Sequence, residues 1–444
     1  YSSGRLHLAM LATLLFSTSF ILQPLTPGRP VRTSARTQPL VTASILERTK
    51  EGTLTELQPG ARYREAEQPP KYYSGPNSEN KVALKKAMRD IGRRKLVVIT
   101  GASSGLGLYC FEALLGKEQD ASAQNGTLTR DWVKQDDYYI IAAVRDPAKM
   151  HEAAKKAGVP TTSYAAVELQ LASLQSVKDF ATDLKRAMPT GRGLDRLVCN
   201  AAVYLPTDPK PRFTDDGFEM SLGVNHLGHF LLVQLLLPQL QRAKDSRCCI
   251  VGSVTGNKNT VAGSLVKPVA DVGELEGLGL PPSPDNVMVD GAKKFDGAKA
   301  YKDAKALNMM TVLEMHKRYH ESTGVVFNSM YPGCIADTNL FREKRSWFRY
   351  FFFPNLMKAI GSYVSEEEAG ERLAQVIYDP KCTKSGVYWS WNGNAQQIAI
   401  NAKKAGAGGA GGEIFENEFS GMIVDEARGK LMYDYSMEAV KDYL

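Results

Sequence analysis

Leu96-Val97-Val98-Ile99-Thr100-Gly101-Ala102-Ser103-Ser104-Gly105-Leu106-Gly107 is an apolar run that breaks into a glycine-rich turn. The run reads as a buried strand, and its glycines allow a tight turn into a helix. At such a junction, backbone N–H groups and the positive helix end face the phosphates of a dinucleotide. A ligand-free strand-to-helix turn would look the same, so a second site is needed. It comes in Tyr301-Lys302-Asp303-Ala304-Lys305. Tyr301 and Lys305 share a helix face, and a lysine beside a phenol favours the phenolate, lowering its pKa from about 10. Alone, that pair is a common solvated helix face. After the glycine-rich turn, it reads as a proton donor beside a nucleotide cofactor.

Working outward, further apolar runs read as strands: Tyr139 to Val144, a weak one before Leu171, Leu197 to Cys199, Cys249 to Val251, Val325 to Phe327 and Gly386 to Trp389. Helical patterns lie between them. The expected fold class is α/β, a Rossmann-type doubly wound parallel sheet. With 444 residues the chain has room for more than one domain, yet such a sheet needs only about 250 to 300. One catalytic domain with extensions is therefore expected. Its boundaries are set at 91–400, after a linker at 47–90 that holds a short charged helix near Lys81 to Asp90. Residues 401–444 read as a glycine-rich linker and a C-terminal helical extension. The polar stretch from Gly116 to Asp137 reads as an insertion.

Net charge is +7, but the basic residues are dispersed, so no nucleic-acid surface is indicated. The six cysteines show no Cys/His ligand spacing, which argues against a metal site and against a disulfide framework. At the N-terminus an apolar run from Leu6 to Leu22 is followed by Pro24, Pro27, Arg29, Arg32, Ser34, Arg36 and Thr37, with no acidic residue before Glu47. The run is short for a membrane span, and the two parts together read as a signal sequence and a transit peptide in residues 1–46. A disordered tail or a membrane anchor is the competing reading.

Just beyond the second strand, Arg145 stands where an acidic residue would accept the ribose hydroxyls of NAD. An arginine there pairs instead with a 2′-phosphate, so NADPH is the expected cofactor. Asp146 next door weakens that argument.

The glycine-rich turn, Asn200-Ala201-Ala202 after Leu197-Val198-Cys199, and Tyr301 with Lys305, in this order, resemble the short-chain dehydrogenase/reductase family. The resemblance implies cofactor contacts from Gly101, Ser103, Ser104, Gly105, Leu106, Gly107, Asn200 and Ala201. It also implies that Gln170 replaces an adenine-binding aspartate, and that Asn225 holds a water in a proton relay. Thr255, in Val251-Gly252-Ser253-Val254-Thr255-Gly256, aligns with the family's catalytic serine, and Ser253 is the competing assignment. A threonine hydroxyl can donate the same hydrogen bond. His226 and His229 read as packing or capping residues rather than ligands.

Thr255 lies much farther from Tyr301 than that serine usually does, so an insertion crosses the active-site rim. With Cys199 to Thr207, Tyr331-Pro332-Gly333-Cys334-Ile335-Ala336 and Ser385 to Asn392, this looks like the light-dependent protochlorophyllide oxidoreductases, over about Lys95 to Asn392. The resemblance implies reduction of the C17=C18 bond of protochlorophyllide after light absorption, in a plastid reached through the bipartite leader of an alga with secondary plastids. The proton would come from Tyr301 or from Cys334, the family's pocket cysteine, which could equally be an ordinary buried thiol. Tyr204, Phe213, Phe218 and Phe348 are candidate pigment contacts, with core packing as the alternative. Lys344, Arg345 and Arg349 beside the aromatic run 347–353 suggest a peripheral membrane surface, and a homo-oligomer is the remaining partner expectation. A dark short-chain reductase of retinoid- or steroid-like substrates, and a pigment-storing scaffold without turnover, stay open.

Overall fold

The computed structural model describes residues 71–115, 137–335, 355, 357–358, 362–393 and 409–444, together with the backbone of 46–48 and 54–56. Eight strands form one sheet: β1 Lys95–Thr100, β2 Tyr138–Val144, β3 Tyr164–Glu168, β4 Arg196–Cys199, β5 Arg247–Val251, β6 Val326–Met330, β7 Val387–Trp391 and β8 Ile414–Asn417. Their order is β3-β2-β1-β4-β5-β6-β7-β8. All neighbours are parallel except β8, which runs antiparallel to β7.

Alternation within each strand feeds two cores. Leu96 and Val98 of β1 join Tyr139 and Ile141 on one face. Val97 and Ile99 join Ile140 and Ala142 on the other. Every residue of β2 is buried, as expected of a parallel strand covered on both faces. Helices α1 Ser78–Asp90, α4 Leu174–Ala187, α5 Gly228–Arg242, α6 Gly297–Met315 and α8 Glu426–Val440 cover the first face. Helices α2 Gly105–Leu115, α3 Pro147–Lys156 and α7 Glu366–Tyr378 cover the second. Strand order reverses between β1 and β4, which opens a crevice at their carboxyl ends, the usual ligand position in an open parallel sheet.

The stretch between Thr255 and Tyr301 is threaded into this body. Ala270, Val272, Leu275, Leu278 and Val289 enter the first core. The outer side of α6 grips the same stretch: Lys302 Nζ donates to the carbonyls of Val266 (2.8 Å) and Pro268 (2.6 Å), and Asp303 accepts from Asp271 N (2.8 Å). Lys299 pairs with Asp303 (2.6 Å) and Asp290 (2.9 Å).

The ends of the chain depart from the linker readings. The charged helix expected near Lys81 to Asp90 is α1, which buries Leu84 and Ala87 in the first core. The segment 409–444 extends the sheet and the core. Ile414 pairs with Trp391 and Asn417 with Tyr388, and Met432 and Tyr433 of α8 pack in the first core. Arg372 of α7 pins the glycine-rich approach by donating to the carbonyls of Gly409 (2.8 Å) and Gly411 (2.9 Å). Residues 1–45, 116–136 and 336–354 lie outside the described residues, and with them the leader, the polar insertion, Phe348 and the basic cluster at Lys344, Arg345 and Arg349. Among the described residues, no helix is long and apolar enough to cross a membrane.

Candidate active site

The crevice between β1 and β4 holds the glycine-rich turn. Gly101 and Gly105 adopt φ of 71° and 54°, the left-handed region that favours glycine. A Cβ on Gly107 would fall 2.5 Å from both Asn200 Nδ2 and the Gly101 carbonyl oxygen. Asn200 closes the turn from the β4 side, donating through Nδ2 to the carbonyls of Thr100 (2.9 Å) and Gly101 (3.4 Å). Its own N–H and that of Ala201 donate to Thr100 Oγ1 at 2.9 and 3.0 Å. Ser103, Ser104 and Leu106 are part-exposed around the start of α2, so the helix N-terminus is open to an anion. The cradle fits a dinucleotide pyrophosphate.

Arg145 is exposed immediately after β2. Asp146, its competitor, is committed elsewhere, since it caps α3 by accepting from Lys149 N (3.0 Å). That leaves Arg145 as the charged group at this edge suited to a 2′-phosphate. Gln170 follows β3, and its Oε1 accepts from Ala172 N at 3.3 Å, a long bond that an adenine amine could replace.

Across the crevice, α6 presents Tyr301 and Lys305. The helix starts tight against the β4 loop: a Cβ on Gly297 would fall 2.1 Å from the Leu205 carbonyl oxygen. This approach brings the Tyr204 and Tyr301 rings to 4.8 Å, inclined by 55°. The Ser253 side chain acts on the Tyr301 phenol, favouring its phenolate. Ser253 caps the single turn Val254–Gly256 by accepting from Thr255 N, and its hydroxyl lies 2.9 Å from Thr255 Oγ1. The turn thus sets the two hydroxyls beside each other, with Ser253 the one that acts on the Tyr301 phenol.

Two other expectations change. Burial, with Tyr204 adding to it, raises the Tyr301 pKa, and Ser253 opposes only part of the effect. Lys305 Nζ lies 5.9 Å from the Tyr301 ring centroid and donates to the Val251 carbonyl at 2.7 Å. Burial lowers its pKa to about 8. The phenol is thus held protonated, where the sequence led us to expect a lowered pKa. Asn225, in the π-turn Leu222–Leu227, uses its amide on the backbone of Val203, accepting from N at 2.8 Å and donating to O at 3.0 Å. Its side chain holds the β4 loop.

Cys334 is part-exposed at the end of the turn after β6, and burial pushes its thiol up to about 12. That turn is held by Arg372 Nη1, which donates to the Pro332 carbonyl (3.0 Å), and by Val364 N, which donates to the Cys334 carbonyl (3.1 Å). Of the aromatic candidates, Tyr204 reaches the site. Phe213 packs in a small apolar cluster that includes Ala300, the neighbour of Tyr301, and Phe218 is in the main core. The sequence reading missed Tyr388 of β7, whose ring lies against Gly252 and stacks on Phe419 at 5.7 Å. In the sequence it stood only within the Ser385-to-Asn392 block, whose apolar run does not tell a site residue from core.

A parallel sheet with a glycine-rich cradle at its switch point, and a buried Ser-Tyr-Lys set facing it, defines a short-chain dehydrogenase/reductase, a class of oxidoreductases. A family model described as short chain dehydrogenase matches residues 126–265. A crystal structure of an uncharacterised protein from Mycobacterium paratuberculosis shares the fold at 20% identity and a TM-score of 0.50, covering 79% of this chain and 97% of that one. Closer sequence relatives narrow the class. Protochlorophyllide reductase, chloroplastic, from Chlamydomonas reinhardtii is 46% identical over 350 residues, 78% of each chain. Protochlorophyllide reductase A, chloroplastic, from Oryza sativa subsp. japonica is 46% identical over 352 residues, 78% of this chain and 81% of its own. The chain belongs to the protochlorophyllide reductase family.

Proposed function

We propose that this protein reduces the C17=C18 double bond of protochlorophyllide to give chlorophyllide, using NADPH, in a step that begins when the bound pigment absorbs light. The observation that carries the chemistry is the buried Tyr301, its ring 4.8 Å from that of Tyr204 and 5.9 Å from Lys305 Nζ, across the crevice from the cradle for the cofactor. NADPH, when bound, supplies the hydride, delivered to C17. Tyr301 gives its proton to C18, and Ser253 stabilises the phenolate that this leaves. Lys305, charged below about pH 8, holds the nicotinamide ribose and favours the same phenolate. Arg145 selects the 2′-phosphate, and Tyr204 orients the pigment against Tyr301. Cys334 is the competing donor, and burial likewise keeps the proton on its thiol.

An absorption spectrum of the protein with NADPH and protochlorophyllide, prepared in darkness and repeated after a flash, tests this reading. We expect a red-shifted bound pigment that converts only after the flash. Conversion in darkness would favour an ordinary reductase, and binding without conversion a storage scaffold. Tyr301→Phe should keep both ligands and slow conversion by about a hundredfold or more. An unchanged rate would return the donor role to Cys334.

The site of action is the plastid, in keeping with the signal and transit composition of residues 1–46. Peripheral attachment to an anionic plastid membrane rests on Lys344, Arg345 and Arg349 beside the aromatic run 347–353, and self-association would concentrate that surface. Liposome flotation at low salt should carry the leader-free chain upward, and protein left at the bottom would remove the membrane reading.

A further inference from the structure

His229 lies at the start of α5, buried behind the glycine-rich cradle and outside any step assigned above. Its Nδ1 is 3.2 Å from the Asn225 carbonyl oxygen, an acceptor only, so Nδ1 carries the hydrogen. Burial keeps the ring neutral, pushing its pKa down to about 3, so Nε2 is a bare acceptor. Thr100 Oγ1 is 2.9 Å from Nε2. That hydroxyl already accepts from the N–H groups of Asn200 and Ala201, so its own hydrogen points to His229. The alternative acceptor, the Val198 carbonyl, is 3.4 Å away.

Every donor and acceptor in this set is matched, and the ring joins three pieces of the site. Through Thr100 it reaches the residue before Gly101 and the two N–H groups that begin the β4 loop. Through Asn225 it fixes the π-turn whose amide grips Val203, next to Tyr204. Residues in π-turns frequently serve functional sites.

We propose that His229 is a positioning residue that sets the glycine-rich cofactor turn and the Asn200-to-Tyr204 loop in register with Tyr301. The inference rests on the reading that NADPH occupies that turn. It assigns different work to the two nitrogens. The Thr100 contact governs the cofactor cradle, and the Asn225 contact governs the loop that carries Tyr204.

Two conservative replacements separate these contacts. In His229→Gln the amide oxygen can reach the place of Nε2 and accept from Thr100. In His229→Asn the amide nitrogen can reach the place of Nδ1 and donate to the Asn225 carbonyl. NADPH affinity, measured by fluorescence titration in darkness without pigment, should stay within about twofold of wild type in His229→Gln. It should fall about tenfold in His229→Asn, the effect of losing one net hydrogen bond. Thr100→Val, which also removes the acceptor of the Asn200 and Ala201 N–H groups, should lose at least as much as His229→Asn, and Thr100→Ser should not. Pigment affinity should show the reverse order, weaker in His229→Gln than in His229→Asn. Equal losses in the two variants, following their melting temperatures, would overturn the inference and leave His229 a core residue. Wild-type protein that fails to bind NADPH would instead overturn the cofactor reading beneath it.

Discussion

Burial moves Tyr301 and Lys305 in opposite directions, and in both cases toward the neutral form: the phenol is raised, and the ammonium lowered to about 8. For a proton donor the first shift is useful, because the proton stays on the oxygen until a basic centre develops beside it. The second makes a pH signature. Below about pH 8 Lys305 is charged and can hold the nicotinamide ribose, so NADPH affinity should fall as pH rises through 8. The linkage to stability has the opposite sign. Because the folded pKa lies below the ordinary lysine value of 10.5, the unfolded chain binds more protons between 8 and 10.5. This group's contribution to stability therefore rises with pH across that window, is complete above 10.5 and is lost as pH falls through 8. Comparing wild type with Lys305→Met isolates the contribution. The wild type should gain melting temperature relative to the variant as it loses NADPH affinity. Parallel trends in the two quantities would refute the assignment. The pairing of Tyr301 with Lys305 was legible in their spacing, whereas the direction of the Tyr301 shift was not, because Ser253, Tyr204 and the burial that set it come from distant parts of the chain.

At the scale of elements, α6 serves the site with one side and grips the insertion with the other, and α8 packs on α6. From α8, Met432, Ser436 and Val440 are fully buried, and Ser436 Oγ lies 2.8 Å from His226 Nε2. The Tyr433 hydroxyl lies 2.7 Å from that of Tyr319 and accepts from Gln234 Nε2 at 3.1 Å, while the Arg318 guanidinium lies 3.8 Å from the centre of its ring. Losing one buried residue of this size costs about 3 to 5 kcal/mol, against a total stability of about 5 to 15 kcal/mol for a domain. Deleting residues 426–444 should therefore abolish the cooperative melt, while Tyr433→Phe, which keeps the ring, should cost about 1 kcal/mol. A deletion variant melting within a few degrees of wild type would show that α8 is peripheral. The helix itself was visible in the sequence. Its attachment was not, since a largely polar helix does not announce which neighbour its few apolar residues meet.

Across the whole molecule, the apolar runs, the glycine-rich turn and the ordered motifs were enough to determine a doubly wound parallel sheet and the place of its crevice. These features are local, and parallel strands joined by helices admit few arrangements. Strand β8 escaped because a short edge strand after a glycine-rich stretch has no periodicity of its own, and pairing with β7 gives it one. Sequence also determined the glycine-rich turn, since Gly101, Gly105 and Gly107 are required by backbone conformation and close approach. Only the tertiary structure decided that the Ser253 and Thr255 hydroxyls pair with each other, that Asn225 spends its amide on Val203, and that His229 joins the cradle to the loop of Tyr204. The physical reason is that hydrogen-bond partners and desolvation are properties of what surrounds a group in space, and at this site the surroundings come from segments far apart in the chain.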